Sequence, residues 1–304
     1  MPLNRRQLIG SLAIASFNAL VPQFVRAQDA PLTKKIPSSG EALPIVGLGS
    51  WITFNVGDDP EARDSSAEVM QAFFDVGGRM IDSSPMYGSA QEVIGYCLRK
   101  TGNAANVFAT DKVWIANGDE GPDPIVRSRT LWGVDRFDLL QVHNLVAWEA
   151  HLDTLNAMKD EGKLRYVGIT TSHGRRHNEL ERIMRKHDLD FVQLTYNLAD
   201  REVESRLLHL AQEKGIAVIA NRPFRRKELI YRFEEEKLPE WADEIGAASW
   251  AQFLLKFVIS HPAITCAVPA TTRVDHVREN LETARAALPG EKMRQRMVAY
   301  IREL

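Results

Sequence analysis

The stretch RMIDSSPMYG, residues 79–88, joins a short apolar strand to a tight loop that carries a carboxylate, Asp82, and a phenol, Tyr87. The same kind of strand recurs on either side of it. Short runs rich in Val, Ile and Leu at 45–48, 79–82, 107–110, 138–142, 165–169, 191–194, 216–220 and 264–268 alternate with amphipathic stretches. The repeat is roughly 25–35 residues, as in βα units. The amphipathic stretches carry apolar stripes at helical spacing and glycine stops. Ser65-x-x-Glu68 reads as a capping box ahead of Val69, Met70, Phe73 and Phe74, closed by Gly77-Gly78. Val93, Ile94, Cys97 and Leu98 form a second stripe. Leu152, Leu155 and Met158 before Gly162, and Val203, Leu207 and Leu210 before Gly215, repeat the theme.

Eight such units predict an α/β fold, a single (β/α)8 barrel rather than a doubly wound sheet. No GxGxxG follows the first strand, which also argues against a Rossmann fold. Upstream, TKKIPSSGEALPIVGL (33–48) reads as a β-hairpin turning at Ser38-Ser39-Gly40 and closing the bottom of the barrel. No linker divides residues 28–304, which are expected to form one domain.

Residues 1–27 read differently. Arg5-Arg6 precede a modestly apolar run, Leu8 to Val21, too short to span a bilayer, and Val25-Arg26-Ala27 offers small residues for a peptidase. These parts resemble a twin-arginine export signal cleaved after Ala27. The expectation is transport by the twin-arginine machinery to the periplasm, with no stable membrane insertion after cleavage; without use of the leader the protein stays cytoplasmic. Removing the three leader arginines from 38 Lys and Arg leaves 35 against 40 Asp and Glu, a net charge near −5. That balance argues against a nucleic-acid partner. The one remaining basic cluster, Arg225-Arg226-Lys227, reads as a solvated helix start. The two cysteines, Cys97 and Cys266, have no CxxC spacing, so neither a disulfide framework nor a zinc site is expected.

In a barrel of this kind the chemistry sits at the C-terminal ends of the strands. Asp82 and Tyr87 follow the second strand, Lys112 the third and His143 the fourth, so an acid, a phenol, an ammonium and an imidazole share one rim. Each has a bland reading alone: a helix cap, loop packing, a surface lysine, a structural histidine. Together they form a set able to deliver a proton to a carbonyl oxygen, because a phenol of pKa near 10 needs a cation to stabilise its anion.

The chain resembles the aldo-keto reductases across nearly all of 43–280. The matching segments are GLGSW, IDSSPMYGSAQEVIG, the lysine of ATDKV, DLLQVHN, VGITTS, FVQLTYN and RENL. The resemblance implies an NADPH-dependent oxidoreductase that reduces aldehydes or ketones to alcohols. Tyr87 would be the proton donor, its pKa lowered by Lys112. Asp82 would hold Lys112 charged and oriented, and His143 would orient the carbonyl. It further implies that Thr170, Thr171 and Gln193 hold the nicotinamide carboxamide. Asn221 stands where many relatives place a stacking aromatic. Thr271, Thr272 and Arg273, at a loop entering a helix, suit a phosphate and favour NADPH over NADH; Glu279 and Asn280 match positions near the adenine. The family's usual Gly or Lys is Ala270 here, and His276 stands where some relatives have Arg.

Trp51, Phe54, Met86 and Trp114 fall on rim loops and are candidates for an apolar substrate wall around a small carbonyl compound. No metal is expected. Two rival readings exist: a nucleotide-binding, redox-sensing or partner-regulating subunit with little turnover, and an unrelated barrel lyase or isomerase. The second would need a metal cluster or a paired-carboxylate base, and the sequence offers neither.

Overall fold

A computed structural model describes residues 30–117 and 121–304; the leader expected at 1–27 lies outside the described residues. The chain opens with an antiparallel hairpin, β1 (Thr33–Lys35) and β2 (Ala42–Pro44), paired Thr33↔Pro44 and Lys35↔Ala42. Gly40, at φ 76°, closes its turn by donating from its N–H to the Ile36 carbonyl. Eight parallel strands follow, each paired with the next. They are β3 (Leu48–Gly49), β4 (Met80–Asp82), β5 (Phe108–Val113), β6 (Phe137–His143), β7 (Leu164–Thr170), β8 (Phe191–Thr195), β9 (Ala217–Asn221) and β10 (Ile264–Ala267).

Closure of the ring depends on small residues in the first strand. Val46 bridges Ala267 and Gly49 bridges Ala270, both parallel, and the Gly47 N–H donates to the Ala267 carbonyl at 2.8 Å. A Cβ on Gly47 would lie 2.9 Å from the Met80 carbonyl oxygen, and one on Gly49 would lie 2.9 Å from that of Val268. A side chain at Gly49 would hold the first and last strands apart, and one at Gly47 would push against β4. The predicted (β/α)8 architecture is the one observed.

Helices α1 (Pro60–Asp75), α2 (Ala90–Thr101), α3 (Asp123–Trp132), α4 (Trp148–Asp160), α5 (His177–Lys186), α6 (Leu207–Lys214), α7 (Glu228–Phe233), α8 (Trp250–Ser260), α9 (Val274–Glu282) and α10 (Glu291–Glu303) form the outer layer. Alternate strand residues divide the core in two. One set packs outward against the helices. The other (Met80, Phe108, Leu139, Tyr166, Phe191, Ile219 and Cys266 among them) packs with Ile36 and Leu43 of the hairpin. Those two hairpin side chains plug the lower end of the barrel, as expected. Polar pairs latch the plug: Arg165 bonds Glu41 and Asp138, and the Tyr166 hydroxyl reaches Ser39 at 2.8 Å and Glu41 at 2.9 Å. Lys34 donates to the carbonyls of Ile259, His261 and Ile264.

Three local expectations are corrected. Helix α1 begins before the supposed capping box: Asp59 is the cap, its carboxylate accepting from the N–H groups of Glu61 and Ala62, with Pro60 at the first helical position. Ser65 therefore lies inside the helix and bonds back to the Glu61 carbonyl at 2.9 Å. Val203 belongs to a separate 3-10 turn, Glu202–Ser205, ahead of α6. Arg225, Arg226 and Lys227 are not helical; all three adopt left-handed backbone, and α7 starts after them.

Candidate active site

The strand register sets the rim. Asp82 pairs with Thr110, Lys112 with Gln141, and His143 with Thr170 across neighbouring strands. Inward alternation then sends Asp82, Lys112, Gln141 and His143 toward one another. The Lys112 ammonium donates to the Asp82 carboxylate and to the Ser83 carbonyl, both at 2.7 Å, and its side chain is 0% exposed against 6% for Asp82. The Tyr87 ring lies over this pair, its centroid 5.4 Å from the Lys112 nitrogen. His143 meets the same ring edge-on, 5.9 Å between centroids at 86°. Tyr87 is held by a turn in which its N–H donates to the Ser84 carbonyl at 3.0 Å. All four residues expected at the site are brought together.

Their proton affinities differ in one respect from the sequence expectation. Burial pushes the Tyr87 phenol above its ordinary value, and the Lys112 charge beside it offsets only part of that rise. Net lowering of the Tyr87 pKa is thus not what the structure gives: Lys112 opposes desolvation without overcoming it. Burial also works against the Lys112 ammonium, but Asp82 and Tyr87 outweigh it and raise its pKa. Burial, aided by repulsion from Lys112, lowers His143 to about 3, so its imidazole is neutral at physiological pH.

Gln141, Ser84 and Asp111 lie in or behind the cluster without having stood out in the sequence, and Gln193, expected at the nicotinamide, also reaches it. The Asp82 carboxylate also accepts from the Gln193 amide at 2.9 Å and the Gln141 amide at 3.5 Å. Ser84 lies 2.8 Å from His143 Nδ1. Asp111, fully buried on the opposite face of β5 from Lys112, accepts from the Gln91 amide at 2.7 Å, and burial raises it to about 7. A polar residue in an otherwise apolar strand was the available signal for Asp111 and Gln141.

The expected nicotinamide residues form one connected network. Thr170 donates to the Gln193 amide oxygen at 3.2 Å, Asn221 donates to the Thr171 carbonyl at 3.0 Å, and Thr195 donates to Asn221 at 2.8 Å. Gln193 is engaged at both ends of its amide, by Asp82 and by Thr170, while the buried Thr171 hydroxyl has no partner. Thr271, Thr272, Arg273, Glu279 and Asn280 sit apart, around the start of α9 and along it. Arg273 is exposed and forms a two-point ion pair with Asp275, while Thr271 accepts from the Arg273 N–H at 3.1 Å. Glu279 accepts from the Ser249 hydroxyl, and Asn280 is buried.

Of the expected pocket wall, Met86 (37% exposed) and Trp114 (45%) are open on the rim. Trp51 is covered by Arg226, whose guanidinium stacks 4.1 Å from its ring and also reaches His173 at 3.1 Å. Phe54 is corrected: it is 1% exposed and packs in the outer core, so it does not offer a surface to a substrate. Among the described residues no group of three or more His, Cys, Asp or Glu is placed to hold a metal ion.

The model of the aldo/keto reductase family matches residues 45–299, from just before the first barrel strand into the last helix. The chain belongs to that family. As such it is an oxidoreductase. It is 28% identical over 279 residues to methylglyoxal reductase YeaE of Escherichia coli (strain K12), covering 88% of this chain and 95% of that one. It is 24% identical over 316 residues to aldo-keto reductase str7 of Strobilurus tenacellus, covering 90% and 91%. An aldo-keto reductase from Klebsiella pneumoniae, solved in complex with NADPH, superposes with a TM-score of 0.73 at 25% identity, covering 89% of this chain and 95% of that one. Among the described residues of this aldo/keto reductase, no helix is long and apolar enough to cross a membrane.

Proposed function

We propose that this protein reduces aldehydes or ketones to alcohols with NADPH, in preference to NADH, and that Tyr87 donates the proton. The observation that carries the proposal is the buried Lys112–Asp82 pair lying under the Tyr87 ring, with a neutral imidazole at the ring's edge. The NADPH complex of the Klebsiella relative and the methylglyoxal reductase from E. coli support the cofactor and the carbonyl class. The residues present suit a nicotinamide: the Asn221 amide meets the Gln193 amide and the Thr171 carbonyl, Thr170 meets Gln193, and the buried Thr171 hydroxyl has no partner, so donors and acceptors for a carboxamide are grouped here. When bound, the reduced nicotinamide supplies a hydride to the carbonyl carbon.

The protein's own part is handling the oxygen. Tyr87, kept protonated by burial, gives its phenolic proton to the developing alkoxide, and Lys112 then stabilises the phenolate left behind. Asp82, bonded at both oxygens, fixes the Lys112 ammonium in place. His143 orients the carbonyl as a neutral hydrogen-bond donor rather than as an acid. Thr271, Thr272 and Arg273, with Glu279 and Asn280 beyond them, would take the adenosine end, where Arg273 must share its charge between Asp275 and a phosphate.

The test is consumption of NADPH and NADH against a panel of aldehydes and ketones, with nucleotide affinity measured separately. Tyr87→Phe is expected to lose turnover while keeping nucleotide affinity; turnover within tenfold of wild type would remove Tyr87 from the role. Tight nucleotide binding without turnover on any carbonyl would instead favour the regulatory-subunit reading. Residues 1–27 act as an export leader, a reading supported by Arg5-Arg6 and the Val25-Arg26-Ala27 site, and one domain begins at residue 28. N-terminal sequencing of protein recovered from periplasm would find Gln28 first.

A further inference from the structure

We propose that Ser84 is a positioning residue that selects the tautomer of His143, donating its hydroxyl hydrogen to Nδ1 so that the ring proton sits on Nε2. The hydroxyl oxygen and Nδ1 are 2.8 Å apart, Ser84 is 0% exposed and His143 is 5% exposed. A neutral imidazole has one donor and one acceptor nitrogen, so the hydrogen between these two atoms runs in one direction only. Around the Ser84 hydroxyl the remaining contact is the Met86 N–H, which donates to its oxygen at 3.4 Å. If Nδ1 carried the proton, Ser84 Oγ would accept twice and its own hydrogen would be buried without an acceptor, which is costly. Donation from Ser84 to Nδ1 satisfies both the Ser84 hydroxyl and Nδ1. The neutral ring this requires agrees with the buried setting beside Lys112.

Placement gives the contact its consequence. Ser84 lies in the Asp82–Tyr87 loop, and its carbonyl accepts the Tyr87 N–H at 3.0 Å, so one residue sets both the Tyr87 turn and the His143 ring. The ring, its centroid 5.9 Å from that of Tyr87, then carries its donor on Nε2, the nitrogen Ser84 leaves free. Two donors meeting at one oxygen is the arrangement that a carbonyl gaining negative charge needs. The tautomer itself does not depend on the proposed reaction; only its effect on turnover rests on that reading.

The test uses 15N-histidine-labelled protein at neutral pH without substrate, with the His143 resonances identified by their loss in His143→Gln. Wild type is expected to show the Nε2–H form, Ser84→Ala a mixture or the Nδ1–H form, and Ser84→Thr the wild-type pattern. In the carbonyl assay, Ser84→Ala should lower kcat about ten- to a hundredfold with nucleotide affinity unchanged, and Ser84→Thr should recover most of it. An Nδ1–H wild type, or a Ser84→Ala variant with an unaltered tautomer, overturns the proposal. A shifted tautomer with unchanged kcat upholds Ser84's hold on the ring and removes His143 from the reaction.

Discussion

Replacing Lys112 by methionine keeps the aliphatic stem and removes the ammonium, leaving the Asp82 carboxylate 6% exposed and without its counter-ion. The lost contacts are the 2.7 Å bonds to Asp82 and to the Ser83 carbonyl, both buried. Breaking such a pair from one side costs about 3–5 kcal/mol, because the surviving charge stays desolvated. Asp82→Asn strands the ammonium instead and should cost a similar amount. The double variant strands neither charge, and the carboxamide introduced at position 82 can still accept from the Gln193 amide. Its loss should therefore fall short of the sum of the single losses by about 2–3 kcal/mol. In equilibrium urea unfolding followed by circular dichroism, each single variant should lose much of the stability of the protein. Each melting temperature should drop by roughly 10 °C, and the double variant should drop further than either single one but by less than the two drops added together. Strictly additive losses would refute a buried, mutually compensating pair, and with it the claim that Asp82 is what keeps Lys112 under Tyr87.

Two other outcomes follow from the core. Asp111 is raised from 3.8 to about 7 by burial, so between those values the folded state keeps a proton that the unfolded chain has lost. Stability should consequently fall as pH rises from about 4 to about 7, by up to roughly 4 kcal/mol at ~1.4 kcal/mol per pH unit. In Asp111→Asn that slope should flatten, and unfolding free energies measured across this range that kept the wild-type slope would contradict the assignment. Gly95, on α2, would place a Cβ 2.0 Å from the Leu131 carbonyl of α3. Gly95→Ala should therefore destabilise by about 3 kcal/mol despite the better helix propensity of alanine, measured by urea unfolding. A stabilised variant would mean the two helices have room to separate.

Much of the architecture was legible along the chain because it is written in local periodicity. Apolar strands, amphipathic helices and glycine stops such as Gly162 and Gly215 mark eight units, and eight units close a ring. Strand ends then place Asp82, Lys112 and His143 on one rim, with Tyr87 in the adjoining loop. Helix starts were less legible: Asp59, not Ser65, caps α1, since both residues fit a capping pattern and only the run of backbone hydrogen bonds chooses between them. Phe54 was legible as a rim aromatic but not as a core one, because rim loops fold inward as well as outward.

What the sequence determined by itself was which chemical groups the barrel mouth holds. What only the tertiary structure decided was how tightly each holds its proton and its partners. The Tyr87 phenol is a contest between water exclusion and the Lys112 charge, and burial prevails. Arg273 is shared with Asp275, Gln193 is tied to Asp82, and Ser84 faces Nδ1 of a histidine 59 residues away. Spacing along a strand sets the direction in which a side chain points. Desolvation and Coulomb energy depend on the few ångströms around it, and those distances exist only once the ring has closed.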